Sequence, residues 1–364
     1  MDNLDFVQVA KIKVIGVGGG GCNAVSRMVN DKVEGVDFYV ANTDLQCLNG
    51  VKMVDNKIVL GKQLTKGLGA GNNPELGRKA ALESEDEIRE ALSGANMVFI
   101  AAGMGGGTGT GASPVVAKIS KELGALTVAV VTSPFSFEGP KVSRQAKEGL
   151  ADLRENVDSI IVVSNDRLLS AIGRKPMTDA FKEADSVLRQ AVQTITDLIA
   201  IPAFINLDFA DVSSVMRDRG SALIGIGMSS GESENKAEEA ALRAISSPLL
   251  DVSITGAKDA IVNVTGGKNI SLYDAHIALN TIKEAVGNEV NTILGVAINE
   301  AFDDEIIVTV IATGFEKEEE AAPAQKNPVH ETTNTNTVRP TVYDVVKDDD
   351  EDEALPEFLR NRKL

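Results

Sequence analysis

Two glycine-rich runs carry the residues best suited to chemistry. Gly16-Val17-Gly18-Gly19-Gly20-Gly21 satisfies G-x-G-x-x-G, and Gly103-Met104-Gly105-Gly106-Gly107-Thr108-Gly109-Thr110-Gly111 forms a second, longer run. Backbone without side chains can come close to a phosphate, and the N–H groups of a following helix N-terminus offer it partial positive charge. One loop alone suits a dinucleotide equally well, and Asp44 stands where the ribose-binding acid of an NAD-dependent Rossmann oxidoreductase would be. Two loops can hold one polyphosphate from both sides, with Thr108 and Thr110 adding hydroxyl donors. The P-loop pattern G-x-x-x-x-G-K-[ST] does not occur, so phosphate charge has to be met by amides, helix ends and a metal ion. A third candidate is Asn206-x-Asp208-x-x-Asp211. Asp208 and Asp211 could cap a helix, or could orient a water for phosphoryl transfer, and spacing alone favours the cap.

The elements that position these residues alternate. Strand patterns at 11–15, 37–41, 96–102, 126–132 and 159–163 are interleaved with helix patterns at 23–29, about 75–92, and after the second glycine run. This order predicts a Rossmann-like parallel sheet in an α/β domain over 11–175, with ligands at the carboxyl ends of its strands. Residues 1–10 read as an N-terminal extension. A long helix spans 176–202, with an apolar stripe through Met177, Phe181, Ala184, Leu188, Val192 and Ile195. It suits either a spine between two domains or an ordinary peripheral helix. Residues 203–314 form a smaller α+β domain, with helices near 209–218 and 235–246 and strands near 221–228, 259–265 and 305–312. The apolar pattern then stops. Residues 315–353 read as a disordered acidic linker, and 354–364 as a short motif that folds on a partner.

Composition removes several classes. The net charge of −17 argues against nucleic acid and against direct docking on an anionic membrane. Cys22 and Cys47 cannot build a disulfide framework, and the acidic start predicts no secretory leader. No apolar run reaches the roughly 20 residues needed to span a bilayer. With two histidines, His276 and His330, the composition argues against a His-rich metal site or a Ser-His-Asp triad. A reduced, cytosolic protein is expected. The 33 glycines exceed an average usage of about 7%, and more than half precede position 112.

Gly105-Gly106-Gly107-Thr108-Gly109-Thr110-Gly111 resembles GGGTG[ST]G, the signature of the tubulin/FtsZ family. Gly18 to Asn23, Asn42-Thr43-Asp44, the run Gly67 to Gly71, Phe137-Glu138-Gly139, Ser164-Asn165-Asp166 and Asn206 to Asp211 extend the likeness in order and spacing. The resemblance implies a bacterial division GTPase that polymerises on GTP, with GTP or GDP bound and Mg²⁺ accompanying the nucleotide; no protein metal ligand is assigned. The alternative within the same family is a tubulin-like filament with a non-division role. Gly19, Gly20, Gly21, Cys22 and Asn23 would line the first phosphate and ribose loop. Gly107, Thr108, Gly109 and Thr110 would hold phosphates, Gly71 would approach the terminal one, and Glu138 would bind ribose. Asn165 and Asp185 would face guanine, with Phe181 stacked on it. Asn206, Asp208 and Asp211 would complete the active site of the next subunit in a head-to-tail filament. Leu355, Pro356, Phe358, Leu359 and Arg360 would bind a membrane adaptor such as FtsA, SepF or ZipA, so that the filament assembles at the division site in the cytoplasm without inserting into the membrane. One position departs from the family pattern Glu-Gly-x-x-Arg. Val142 stands where the arginine belongs, leaving Lys141 or Arg144 to replace it.

Overall fold

The computed structural model describes residues 10–172, 177–200, 208–230, 235–247, 253–287, 289–299 and 302–315. In chain order the first part runs β1 (Ile12–Val17), α1 (Gly18–Asn30), β2 (Val36–Asn42), α2 (Leu45–Gly50), β3 (Asn56–Val59), α3 (Pro74–Glu83), α4 (Glu85–Leu92), β4 (Met97–Gly103), α5 (Thr108–Glu122), β5 (Leu126–Ser133), α6 (Pro140–Asn156), β6 (Ser159–Ser164) and α7 (Asn165–Ile172). The long helix α8 (Met177–Ala200) follows. The second part contains α9 (Phe209–Met216), β7 (Gly220–Ser229), α10 (Lys236–Ile245), β8 (Asp259–Gly266), α11 (Leu272–Val286), β9 (Asn291–Ile298) and β10 (Ile306–Thr313).

The strands form one sheet in the order β3-β2-β1-β4-β5-β6-β7-β10-β8-β9. From β3 to β6 every neighbour is parallel, so the loops that leave these strands share one edge. Residue alternation explains why both faces are covered. In β4, Met97 and Phe99 enter one core while Val98, Ile100 and Ala102 enter the other. The smaller α+β domain continues the sheet through a short parallel pairing of Ser159–Ile161 with Gly220–Ala222, then turns antiparallel at β10.

The apolar stripe of α8 makes it a spine. Ala184, Val187, Leu188, Ala191, Val192 and Ile195 lie in one buried cluster with Val14 and Val25 from the first part and Val215, Ile224 and Ile311 from the second. Several elements are weaker in the sequence. The helix expected over 75–92 is two helices, because Ser84 turns aside to accept the Gly61 N–H at 3.0 Å. The short α2 and β3 lack a full period. Helix α6 buries mainly small residues, Ala146 and Gly149, beside Leu153, which mutes its apolar stripe.

Candidate functional site

The carboxyl ends of β1, β2 and β4, with the loop after β3, surround a hollow of about 420 Å³. Gly19, Gly20, Asn42, Thr43, Asp44, Cys47, Leu68, Gly69, Ala70, Gly71, Asn72, Gly103, Gly106, Gly107, Thr108 and Gly109 line it. The volume falls in the range of small-molecule sites. The two glycine runs meet there backbone to backbone. Gly18 has φ +73°, and a Cβ on it would lie 2.7 Å from the Gly109 nitrogen, so a side chain would force the loops apart.

Among the described residues no lysine or arginine lines the hollow. Positive potential comes instead from α1 and α5, whose N-termini open beside it and whose first turns carry no acid. Each helix end presents unpaired N–H groups and about half a unit charge. Side chains hold the loops in place. The Thr43 and Thr108 hydroxyls hydrogen-bond at 2.7 Å, and Thr110 Oγ1 accepts the Gly105 N–H at 2.8 Å. Asp44 Oδ1 caps α2, accepting from Gln46 and Cys47 N–H at 2.8 and 3.3 Å.

Of the expected nucleotide residues, Gly19, Gly20, Gly71, Gly107, Thr108 and Gly109 line the hollow. Gly21, Cys22 and Thr110 are buried, and Asn23 is exposed on α1. Thr110 therefore braces its own loop from below. Glu138 follows β5 and accepts the Phe135 N–H at 2.9 Å through Oε1. Asn165, at the end of β6, is 7% exposed, and its buried Oδ1 has no hydrogen-bond partner. Both belong to the edge that carries the glycine loops. Asp185 projects from α8 onto Arg27 of α1, Oδ2 to Nε 3.0 Å. Burial pushes its carboxyl above the ordinary value, and the Arg27 hydrogen bond offsets part of that. Phe181 lies in α8, but its side chain is outside the described residues, as are Asn206, Leu355, Pro356, Phe358, Leu359 and Arg360.

Asp208 and Asp211 form a reciprocal capping box at the start of α9. Asp208 Oδ1 accepts the Asp211 N–H at 2.9 Å, and Asp211 Oδ2 accepts the Asp208 N–H at 3.1 Å. Val142 packs against the second glycine run, where a Cβ on Gly105 would come within 2.6 Å of its Cγ1. Lys141 and Arg144 are exposed at the start of α6. Asn42, Cys47, Asn72 and Gly106 also line the hollow, though the sequence assigned none of them a role of its own there. Asn42 ends a recognisable strand, whereas Cys47 lies in a helix too short to announce itself. Among the described residues no cluster of three or more His, Cys, Asp or Glu could hold a metal ion. No described helix is long and apolar enough to cross a membrane.

Comparison with known proteins accounts for this arrangement. Residues 11–173 match the GTPase domain of the tubulin/FtsZ family, and residues 220–316 match the C-terminal domain of the FtsZ family. An empty FtsZ dimer from M. jannaschii is 45% identical, with a TM-score of 0.78 over 84% of this chain and 88% of that one. A point mutant of FtsZ from M. jannaschii, with tyrosine in place of a tryptophan, is 44% identical, with a TM-score of 0.79 over 84% of this chain and 91% of that chain. GDP-bound CetZ1 from Haloferax volcanii shares the fold, with a TM-score of 0.75 at 19% identity, covering 84% of this chain and 95% of its own. With the glycine loops inside one matched domain and the mixed strands inside the other, the chain belongs to the tubulin/FtsZ family of GTPases.

Proposed function

We propose that this GTPase polymerises head to tail on GTP, hydrolyses it at the junction between subunits, and builds the ring that divides a bacterial cell. The observation that carries the reading is a hollow suited to phosphates whose lining, among the described residues, holds no uncommitted carboxylate, histidine or lysine to orient water. Its single acid, Asp44, already caps α2. The C-terminal end of α9 is tied to the amino edge of the parallel sheet, where the Ser159 hydroxyl at the start of β6 donates to the Met216 carbonyl at 2.5 Å. The glycine loops lie at the other edge, about 20 Å away for strands of this length. Helix α9 spans about 12 Å, so Asp208 and Asp211 stop short of their own hollow. Each carboxylate keeps one oxygen outside the capping box, which supports their orienting water in a neighbour's site with Asn206 on phosphate. An FtsZ dimer and a GTPγS-bound CetZ2 protofilament among related structures support self-association.

In this reading Gly19, Gly20, Gly71, Gly107, Thr108 and Gly109 hold phosphates, over the buried Gly21, Cys22 and Thr110. Asn23 and Glu138 serve the ribose. The unpaired Asn165 Oδ1 awaits a donor, and guanine offers N1–H and N2–H₂; Asp185 and Phe181 complete that end. Magnesium would accompany the nucleotide and neutralise phosphate charge there, which suits a lining with one committed carboxylate. Residues 355–360 bind an adaptor of the FtsA, SepF or ZipA kind.

The test is GTPase rate per molecule against protein concentration. A shared site gives a rate that rises with concentration as filaments pellet with GTP and not with GDP. A flat rate refutes the shared site. Imaging of the tagged protein in dividing cells tests the ring: a band at mid-cell is expected, and filaments unrelated to division would favour the non-division reading.

A further inference from the structure

We propose that Cys22 and Cys47 are a redox-sensitive thiol pair in the wall of the hollow, and that joining them as a disulfide closes the hollow to nucleotide. The closure rests on the nucleotide reading above; the pairing does not. They are the chain's two cysteines, and both are free thiols. Cys22 lies fully buried in α1 beneath the first glycine run, its thiol near the carbonyls of Gly16 and Ala41 at 3.8 Å. Cys47, in the first turn of α2, is half-buried and lines the hollow with Thr43 and Asn42. Cys47 packs against the buried cluster that contains Cys22, and the two thiols interact with each other and with the Asn42 side chain.

Their surroundings give them different parts. The Cys22 hydrogen bond draws the Cys47 thiol down to about 6, with help from Asn42 and against burial and the Asp44 charge. Its bond to Cys47, followed by burial, holds Cys22 protonated. Cys47 lines the hollow, where peroxide reaches it, whereas Cys22 is fully buried; the thiolate is the nucleophile among cysteine forms, so Cys47 attacks and Cys22 resolves. With hydrogen peroxide as oxidant, the Cys47 sulfur attacks one oxygen and the O–O bond breaks. Cys47 becomes a sulfenic acid, and the departing hydroxide takes up a proton as water. The Cys22 sulfur then attacks the Cys47 sulfur. An S–S bond forms, the S–O bond breaks, and the second hydroxide leaves with the Cys22 proton as water. Two thiols lose two electrons and the peroxide gains them.

A disulfide needs its sulfurs about 2.05 Å apart, closer than any hydrogen bond, so bonding draws α2 toward α1. That pull passes through Asp44, which caps α2, to Thr43, which holds Thr108 of the second loop at 2.7 Å.

The experiment treats the full-length reduced protein with hydrogen peroxide, then measures intact mass after iodoacetamide labelling in denaturant and, on the native protein, binding of a fluorescent GDP analogue. The expected product is a monomer two hydrogens lighter that takes no label. Its nucleotide affinity falls about tenfold or more and returns with dithiothreitol. Cys22→Ser should instead gain oxygen at Cys47, lacking its resolving partner. Two thiols still labelled after peroxide, or a disulfide between molecules, would overturn the pairing. An internal disulfide with unchanged affinity would overturn the closure. Reduced protein that binds no guanine nucleotide would refute the reading of the hollow instead, and is told apart because mass and labelling still change on oxidation.

Discussion

Asp211 holds the helix cap through one carboxylate oxygen and keeps the other outside the capping box, and the proposed function gives it a second role in orienting water. The roles separate on substitution. Asp211→Ala should leave GTP affinity within twofold while lowering turnover by about 100-fold, the scale of one lost proton-handling group. It should also cost about 1 kcal/mol of stability through the cap. Asp211→Asn keeps a capping oxygen without the charge. Recovery of melting temperature without recovery of phosphate release identifies the charge as what turnover needs; recovery of both refutes the role. A second residue prediction concerns Asp197 on α8, whose carboxyl is pushed up to about 6 by burial, against a hydrogen bond from Gln193. A raised folded-state value means that the folded state holds the proton more tightly than the unfolded state does. The ionised carboxylate therefore penalises folding above about pH 6, and the penalty vanishes below the unfolded value of about 3.9. Asp197→Asn should stabilise the protein at pH 7 by on the order of 1 kcal/mol, allowing for partial solvent screening. The gain should fade by about pH 4 in denaturant titrations, as the wild-type group takes up its proton.

At the scale of elements, the contact between the two glycine loops is the feature most exposed to test. Gly18→Ala puts a methyl against the Gly109 nitrogen at a positive φ. The strain should cost about 1–3 kcal/mol and weaken nucleotide binding together with thermal stability. Unchanged binding with lowered stability would show that the loops act separately. The spine is testable in the same way. Leu188 is 1% exposed within the cluster that joins both parts of the chain, and Leu188→Ala should cost about 2–5 kcal/mol in a single cooperative transition. The pattern of α8 was legible because its stripe repeats for many turns. That of α6 was not, because small residues pack there as well as large ones.

For the whole molecule, the net charge of −17 coexists with a site for a polyanion. The contradiction dissolves because potential near the hollow is set by two helix ends and a ring of amides, which a count of side chains does not include. The tail prediction belongs here. Removing residues 354–364 should leave GTPase rate and sedimentation unchanged and abolish recruitment to adaptor-coated vesicles. Loss of GTPase activity in the deletion would contradict a tail that acts only as a tether.

Local rules reach far in this chain. The glycine loops, the alternating strands between them, the long helix and the cap at Asp208 rest on interactions among near neighbours, so residue order alone determines them. Enclosure is a different matter. That Gly71 and Gly107 line one hollow, that Val142 closes over Gly105, and that Cys47 meets Cys22 depend on how separate βα units pack side by side. Sheet order and helix docking bring those residues together, and neither is written in the spacing of any one segment.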